Sequence, residues 1–195
     1  MSEDPQTLAV YAARAGDYAR LFAEGPPSVP LLAFIAALPP SARVLDLGCG
    51  PGGDSAHMAA AGHRPDPVDA APQMVALACA RGLPAREGSF DTPLTEVYDA
   101  AWASFSLLHA TRAELPRHLA AIHAALKPGG LFHIGLKEGQ GEERDALGRF
   151  YTYYTRPELT GLLEQAGFTI TEVTEQVDTG LAGTPALGLL VTARA

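Results

Sequence analysis

Three carboxylates set around a glycine turn give this sequence its first chemical signal. In "VLDLGCGPGGDSAHMAA", Val44 to Ala60, the glycines Gly48, Gly50 and Gly53 follow an apolar run and open a helix-forming segment. Their spacing fits G-x-G-x-x-G, a turn that lets a ligand approach the backbone closely. Asp46 stands two residues before the first glycine, and Asp54 directly follows the last. Asp69 closes the next strand-like stretch, nineteen residues after Gly50, where an acid accepts from both hydroxyls of a ribose. Turn and acid together describe a nucleoside site. The plainer alternative is a glycine-rich turn that binds nothing, with Asp69 capping the helix over 71–81.

Charge separates the nucleosides that such a site takes. A dinucleotide sets its pyrophosphate at the helix N-terminus, where Asp46 and Asp54 repel it. At ~5 Å and an effective dielectric near ~20, each close pair costs roughly 3 kcal/mol. S-adenosylmethionine places a sulfonium and an ammonium there instead, which carboxylates favour. An NAD(P)-binding module remains the alternative on glycine spacing alone, although the chain offers it no separate substrate domain.

Other residues are candidates for chemistry on the acceptor. His109 follows the fourth predicted strand on the ligand edge and titrates near neutrality, so it is the candidate general base; packing or capping near Thr111 is the other reading. His123 and His133 read as structural, Trp102 as core, and Cys49 as a backbone contributor to the turn. Tyr11 and Tyr18 recur at helical spacing and read as packing. Phe150, Tyr151, Tyr153 and Tyr154 crowd the end of "KEGQGEERDALGRFYTYY", either as packing or as the wall of an acceptor pocket. Methyl transfer is an in-line displacement in which alignment alone supplies on the order of 7–11 kcal/mol. A base is optional.

Composition narrows the partners. The chain has 195 residues, 47% hydrophobic and 18% charged, enough for one domain with a real core. A net charge of −8 without clustered Lys and Arg argues against a nucleic-acid face. No apolar run nears the ~20 residues that span a bilayer, and the N-terminus lacks the pattern of a signal peptide; a cytoplasmic location with no membrane partner is expected. Two cysteines, Cys49 and Cys79, and six histidines without ligand spacing predict no metal site.

The positioning elements alternate. A helix is expected over 5–23, then "EGPPSVP" breaks the chain before a short buried helix in "VPLLAFIAAL" that ends at Pro39 and Pro40. Strand and helix signals follow in turn: "ARVLDL", "GDSAHMAAAG", "RPDPVDA", "APQMVALACARG", "LPAREG", "YDAAWAS", "RAELPRHLAAIHAAL", "GLFHIGLK". Such alternation predicts an α/β, doubly wound, mostly parallel sheet with helices on both faces, binding at the carboxyl ends of its strands. Two prolines predict a short strand at "RPDPVD". The first half of "KEGQGEERDALGRFYTYY", Lys137 to Tyr154, is charged and glycine-rich and reads as a mobile loop. "TRPELTGLLEQAG" reads as a helix capped by Thr155, and "FTITEVTEQ" and "ALGLLVTARA" lie too close for a crossover, so they form an antiparallel hairpin.

"VLDLGCGPGGDS" closely resembles the first motif of class I S-adenosylmethionine-dependent methyltransferases, and the resemblance continues in order along nearly the whole chain. "PVDAAPQM" resembles their second acidic motif, "YDAAWASFSLLHA" their fourth-strand motif, "HAALKPGGLFHIGLK" the turn and fifth strand, and "TRPELTGLLEQAGF" the helix before their terminal hairpin. The resemblance implies a seven-stranded sheet, S-adenosylmethionine as cofactor and S-adenosylhomocysteine as product. It implies that Asp46, Gly48, Cys49 and Gly50 form the cofactor turn, that Asp69 binds the ribose, and that Ala70 and Met74 border the adenine. Ser104 then lies near the methionyl group and His109 on the substrate side, and the N-terminal helix covers the cofactor. Where the family often has an acid reading the adenine amino group, this chain has Ser89 followed by Phe90.

The organisation expected is one domain over 1–195: a helical cap (1–38), a nucleoside-binding core (39–137), a candidate lid (138–154) whose Tyr151, Tyr153 and Tyr154 face the acceptor, and a C-terminal helix and hairpin (155–195). The expected partner is a small-molecule acceptor, with the chain a monomer or homodimer. A protein that binds S-adenosylmethionine without turning it over has the same sequence signature.

Overall fold

The computed structural model describes residues 4–195. Two helices open it, not one: α1 (Pro5–Ala13) and α2 (Ala15–Phe22) meet at Arg14, whose φ of −115° and ψ of 18° leave helical space. Gly16 in the restarting turn weakens continuity where periodicity predicted a single helix. Asp4 caps α1 by accepting from the Thr7 N–H at 2.8 Å. The third helix, α3 (Val29–Ala36), buries only Leu31 and Phe34; Val29 and Leu32 are exposed, so the expected buried helix is one-sided.

A seven-stranded sheet follows in the order β3-β2-β1-β4-β5-β9-β8. Strands β1 (Arg43–Leu47), β2 (Arg64–Asp69), β3 (Arg86–Glu87), β4 (Tyr98–Ser104) and β5 (Leu126–Lys137) run parallel. Helices α4 (Gly53–Ala60), α5 (Pro72–Ala80) and α6 (Leu115–Ala125) connect them. After α7 (Arg156–Gln165), β8 (Thr169–Thr179) and β9 (Pro185–Arg194) form the expected antiparallel hairpin, with β9 pairing β5. At the start of α7, the Glu158 carboxylate accepts from the Thr155 N–H at 2.8 Å, one half of a capping box.

Strand β2 keeps its full six residues despite two prolines. Arg64 N–H donates to Ala42 O, and Val68 O accepts from Gly48 N–H, so the even positions face β1. Pro65 and Pro67 face the other edge, where β3 begins to pair only at Val68 and Asp69. Their missing donors fall where no acceptor waits. The same geometry shortens β3 to two residues.

Packing divides by sheet face. One face buries Leu45, Ala101, Phe132 and Ala193 against α6 and α7, within the larger apolar core. On the other, Val44, Ala100, Trp102 and Leu131 meet Leu31, Phe34 and Met58 of α3 and α4. A smaller cluster seats Leu8, Tyr11, Ala15 and Tyr18 on Met74 of α5 and on Ala71 just before it.

Residues 142–152 form a second, two-stranded sheet, β6 (Glu142–Arg144) with β7 (Phe150–Thr152), where a mobile loop was expected. All three β6 residues are exposed, so the segment shows no apolar period. Asp145 builds the turn by accepting from the N–H groups of Leu147 and Arg149 at 3.0 and 2.9 Å.

Candidate active site

The strand order reverses between β1 and β4, the place where open α/β sheets bind ligands. Gly48, leaving β1, has φ of +79°, and a Cβ there would stand 2.3 Å from Ser106 Cβ. Ser106 holds that close approach by donating to Leu47 O at 2.6 Å. Gly52 lies in the left-handed region at the head of α4, with Leu83 Cδ1 2.6 Å from where a Cβ would be. The turn needs glycine at both positions.

Most donors of this turn are already engaged. Gly48 and Cys49 N–H both donate to Val68 O, at 2.8 and 3.0 Å, and Gly50 N–H donates to Asp69 Oδ2 at 2.8 Å. Asp69 Oδ1 accepts from Ala71 N–H at 2.8 Å, so the carboxylate bridges the turn and the start of α5. A pyrophosphate would find few free donors here.

The acids lack cations. Asp46 is 3% exposed, accepts from Ser55 Oγ at 2.7 Å, and is pushed up to about 8 by burial, with repulsion from Asp54 and Asp69 added. Asp54 accepts from Trp102 Nε1–H at 2.8 Å, and burial raises it as well. Burial also raises Asp69, against its backbone donors. Among the described residues no Lys or Arg forms an ion pair with any of the three. Buried, uncompensated carboxylates fit a ligand that brings its own positive charge. S-adenosylmethionine does.

Two cavities meet at this turn. The first, about 700 Å³, is bordered by Asp69, Ala70, Met74 and Phe90 on one side and by Thr7 and Leu8 of α1 on the other. The second, about 1350 Å³, runs past Asp46, Cys49 and Asp54 toward Trp102, His133 and Tyr151. Tyr11, Tyr18, Gly48, Gly50, Ser104 and Phe105 border both.

Most of the residues singled out from the sequence converge on these walls; three do not. Ser89 turns its hydroxyl to the Asp91 N–H at 3.1 Å, inside its own loop. Tyr154 is 1% exposed, with its hydroxyl unpartnered and the Arg112 guanidinium 4.6 Å from its ring. Tyr153 lies against Gly139. Of the three tyrosines, only Tyr151 borders a cavity. The Cys49 thiol, raised by burial, points to its neighbour's carbonyl.

His109 borders the first cavity with both ring nitrogens engaged. Nδ1 lies 2.6 Å from Phe150 O, which only accepts, so Nδ1 carries the proton. Nε2 then accepts from Tyr11 Oη at 2.9 Å. Burial lowers the imidazole to about 4, so it is neutral at pH 7. Tyr11 in turn accepts from Arg149 Nη1 at 3.0 Å, and Arg149 is bound to Asp145 at 2.7 Å. Alongside, Phe150 N–H donates to Thr7 Oγ1 at 2.8 Å and Arg144 Nη2 donates to Asp4 at 2.7 Å. These bonds stitch α1 to the β6–β7 hairpin as a roof over the cavities.

Sequence reasoning missed Phe105, Lys137 and Arg149 and took Trp102 and His133 as purely structural. Phe105 has φ of +54°, rare for an aromatic residue, and no sequence rule announces it. The β4–β5 register does place Trp102 beside His133, with their rings stacked 4.0 Å apart, and the alternation of "YDAAWAS" and "GLFHIGLK" contains that signal.

Comparison with known proteins agrees with this geometry. Residues 19–173 match the methyltransferase domain family. An uncharacterised methyltransferase of Synechocystis is 29% identical over 161 residues, 69% of this chain and 70% of that protein. The crystal structure of Burkholderia thailandensis 1,6-didemethyltoxoflavin-N1-methyltransferase, with bound 1,6-didemethyltoxoflavin and S-adenosylhomocysteine, superposes with a TM-score of 0.73 at 30% identity, covering 97% of this chain and 87% of that one. A S-adenosylmethionine-dependent methyltransferase of Methanosarcina mazei shares the fold at 18% identity, with a TM-score of 0.74 over 87% of this chain and 98% of its own. With the glycine turn, the strand order and the buried acids in hand, these matches settle the family: the chain belongs to the class I S-adenosylmethionine-dependent methyltransferases.

Proposed function

We propose that the protein methylates a small molecule held in the larger cavity while the first cavity holds the adenosine of S-adenosylmethionine. The observation that carries this reading is the seam of six residues shared by the two cavities, with buried acids at its turn that, among the described residues, no Lys or Arg pairs. Asp69 takes the ribose hydroxyls; Ala70, Met74 and Phe90 border the base. Asp46 and Ser104 face the methionyl end. When bound, the cofactor supplies a methyl carbon that an acceptor lone pair attacks as the carbon–sulfur bond breaks, the electron pair remaining on sulfur. The chain supplies alignment, water exclusion and charge. Tyr11 and Tyr18 lie over the seam with electron-rich rings, each worth roughly 0.5–2 kcal/mol toward a nearby cation. His109 acts through Tyr11: its neutral Nε2 fixes the hydroxyl, and proton abstraction would first require that bond to break.

Thermal melts and calorimetry with S-adenosylhomocysteine and with NAD test the cofactor assignment. At one hundred times its dissociation constant, the homocysteine product stabilises the fold by about 2.7 kcal/mol, while NAD leaves it unchanged. The reverse pattern overturns the assignment. Incubation with methyl-labelled cofactor and a panel of small metabolites tests the acceptor class; transfer to protein or nucleic acid alone would defeat it.

A further inference from the structure

The walls of the larger cavity carry both signs of charge, with Asp46 and Asp54 from the glycine turn and Lys137 and Arg149 from the end of β5 and the hairpin. Arg149 is neutralised by Asp145, which it holds through both Nε and Nη2. Lys137 is not neutralised. It ends β5, two residues beyond Gly135, the register partner of Ser104. Its ammonium lies 4.0 Å from the centre of the Tyr151 ring, and among the described residues no hydrogen bond or ion pair reaches it. Arg149 also flanks that ring, at 5.2 Å.

Burial and Arg149 lower the basicity of Lys137, and Asp145 and Glu143 oppose them weakly. His109 and Tyr151 are neutral at pH 7. A half-buried ammonium facing a cavity without a counter-ion is stabilised by an anion arriving in that cavity. A second polar atom waits on the same walls: His133, 2% exposed, leaves Nε2 without a partner while Nδ1 meets Thr192 Oγ1 at 3.3 Å. The same cavity is lined by aromatic surfaces: Trp102 stacked on His133, Tyr151 beside Lys137, and Phe105.

We propose that Lys137 is the specificity-determining counter-ion for an anionic acceptor: a flat molecule with an acidic O–H or N–H that binds as its conjugate base. This rests on the methyltransferase reading of the larger cavity. The proton leaves the acceptor for water, the anion is held beside the Lys137 ammonium, and its oxygen or nitrogen lone pair forms the new bond to carbon. The sulfonium is drawn to the acids of the turn and the anion to the Lys137 ammonium, so opposite charges on the walls of one cavity orient both reactants. No oxidant or metal enters the balance.

The probe is 4-nitrophenol, whose phenolate is coloured and whose phenol is not, with its neutral methyl ether, 4-nitroanisole, as control. Protein saturated with S-adenosylhomocysteine is titrated with each at mildly acidic pH. Wild type is expected to bind the phenolate at least tenfold more tightly than the ether and to raise the coloured fraction about tenfold. Lys137→Met, which keeps the aliphatic stem, abolishes both effects; Lys137→Arg restores most of each. S-adenosylhomocysteine affinity and melting temperature stay at wild-type values in both variants. Equal binding of ether and phenolate, no phenolate binding to loaded wild type, or an unchanged Lys137→Met overturns the proposal. Loss of S-adenosylhomocysteine binding in wild type strikes the cofactor assignment instead, so the two failures are distinguishable.

Discussion

Tyr11 Oη and His109 Nε2 lie 2.9 Å apart and join the first helix of the chain to the turn after β4. That bond makes the two residues one unit. Tyr11→Phe and His109→Ala are each expected to weaken S-adenosylhomocysteine binding roughly two- to tenfold, the net worth of about one hydrogen bond. The double variant loses scarcely more than either alone. Isothermal calorimetry on the four proteins closes the cycle, and fully additive losses would show that the contact does not matter.

The same histidine makes stability depend on pH. Its pKa is about 4 folded against about 6.5 unfolded, so between those values the unfolded chain binds more protons. Its contribution is complete above pH ~6.5 and is lost as pH falls through the window toward 4, by at most about 3 kcal/mol. His133, lowered to about 3 by burial, adds in the same direction. Urea unfolding at pH 7.5 and 5.0 should show a smaller pH effect in His109→Gln than in wild type.

Asp46 works with the opposite sign. Burial raises it to about 8 from the ordinary carboxylate value of 3.8, so its folded form binds more protons over that interval and stability falls as pH rises through it. A cation arriving at the turn reverses the preference and expels the proton. Binding of S-adenosylmethionine at pH 7 is therefore expected to release up to one proton. Calorimetry in buffers of different ionisation enthalpy measures it, and Asp46→Asn removes it.

Asp69→Ala is expected to cost S-adenosylhomocysteine affinity about 1.5–3 kcal/mol, tenfold to over a hundredfold. Because Asp69 also accepts from Gly50 and Ala71 N–H groups, the melting temperature falls as well. A variant that keeps wild-type affinity would mean that the ribose lies elsewhere.

Tyr154→Phe is expected to stabilise the protein by about 1 kcal/mol, since the deleted hydroxyl is buried without a partner. Tyr154→Ala should cost roughly 3–5 kcal/mol, as removal of a buried aromatic ring does. Differential scanning calorimetry reads both. A Tyr154→Phe variant less stable than wild type would reveal a partner for that hydroxyl.

The sequence reveals this fold where local signals and packing coincide. The glycine turn, the alternation of strands and helices, Asp69 and the terminal hairpin are all legible because each follows from short-range backbone demands or from period. The break at Arg14 is not, because apolar spacing runs straight through it. The full length of β2 is not, because the prolines matter only through which neighbour they face. Hairpin β6–β7 escapes because Asp145 and Arg149 hold it with polar bonds, which leave no hydrophobic pattern. Lys137 escapes because its significance lies in what is missing around it, and no spacing rule reports that.

The roof also sets an order of events during folding. Asp4 pairs with Arg144 across 140 residues of sequence, and Thr7 and Tyr11 reach as far to Phe150 and Arg149. Helix α1 can already rest on Ala71 and Met74 through Leu8 and Tyr11, but its polar bonds to the hairpin are long-range, and such distant pairings form late. The parallel core can assemble beforehand. The bonds that close the roof are therefore expected to form last, after the sheet that carries the glycine turn.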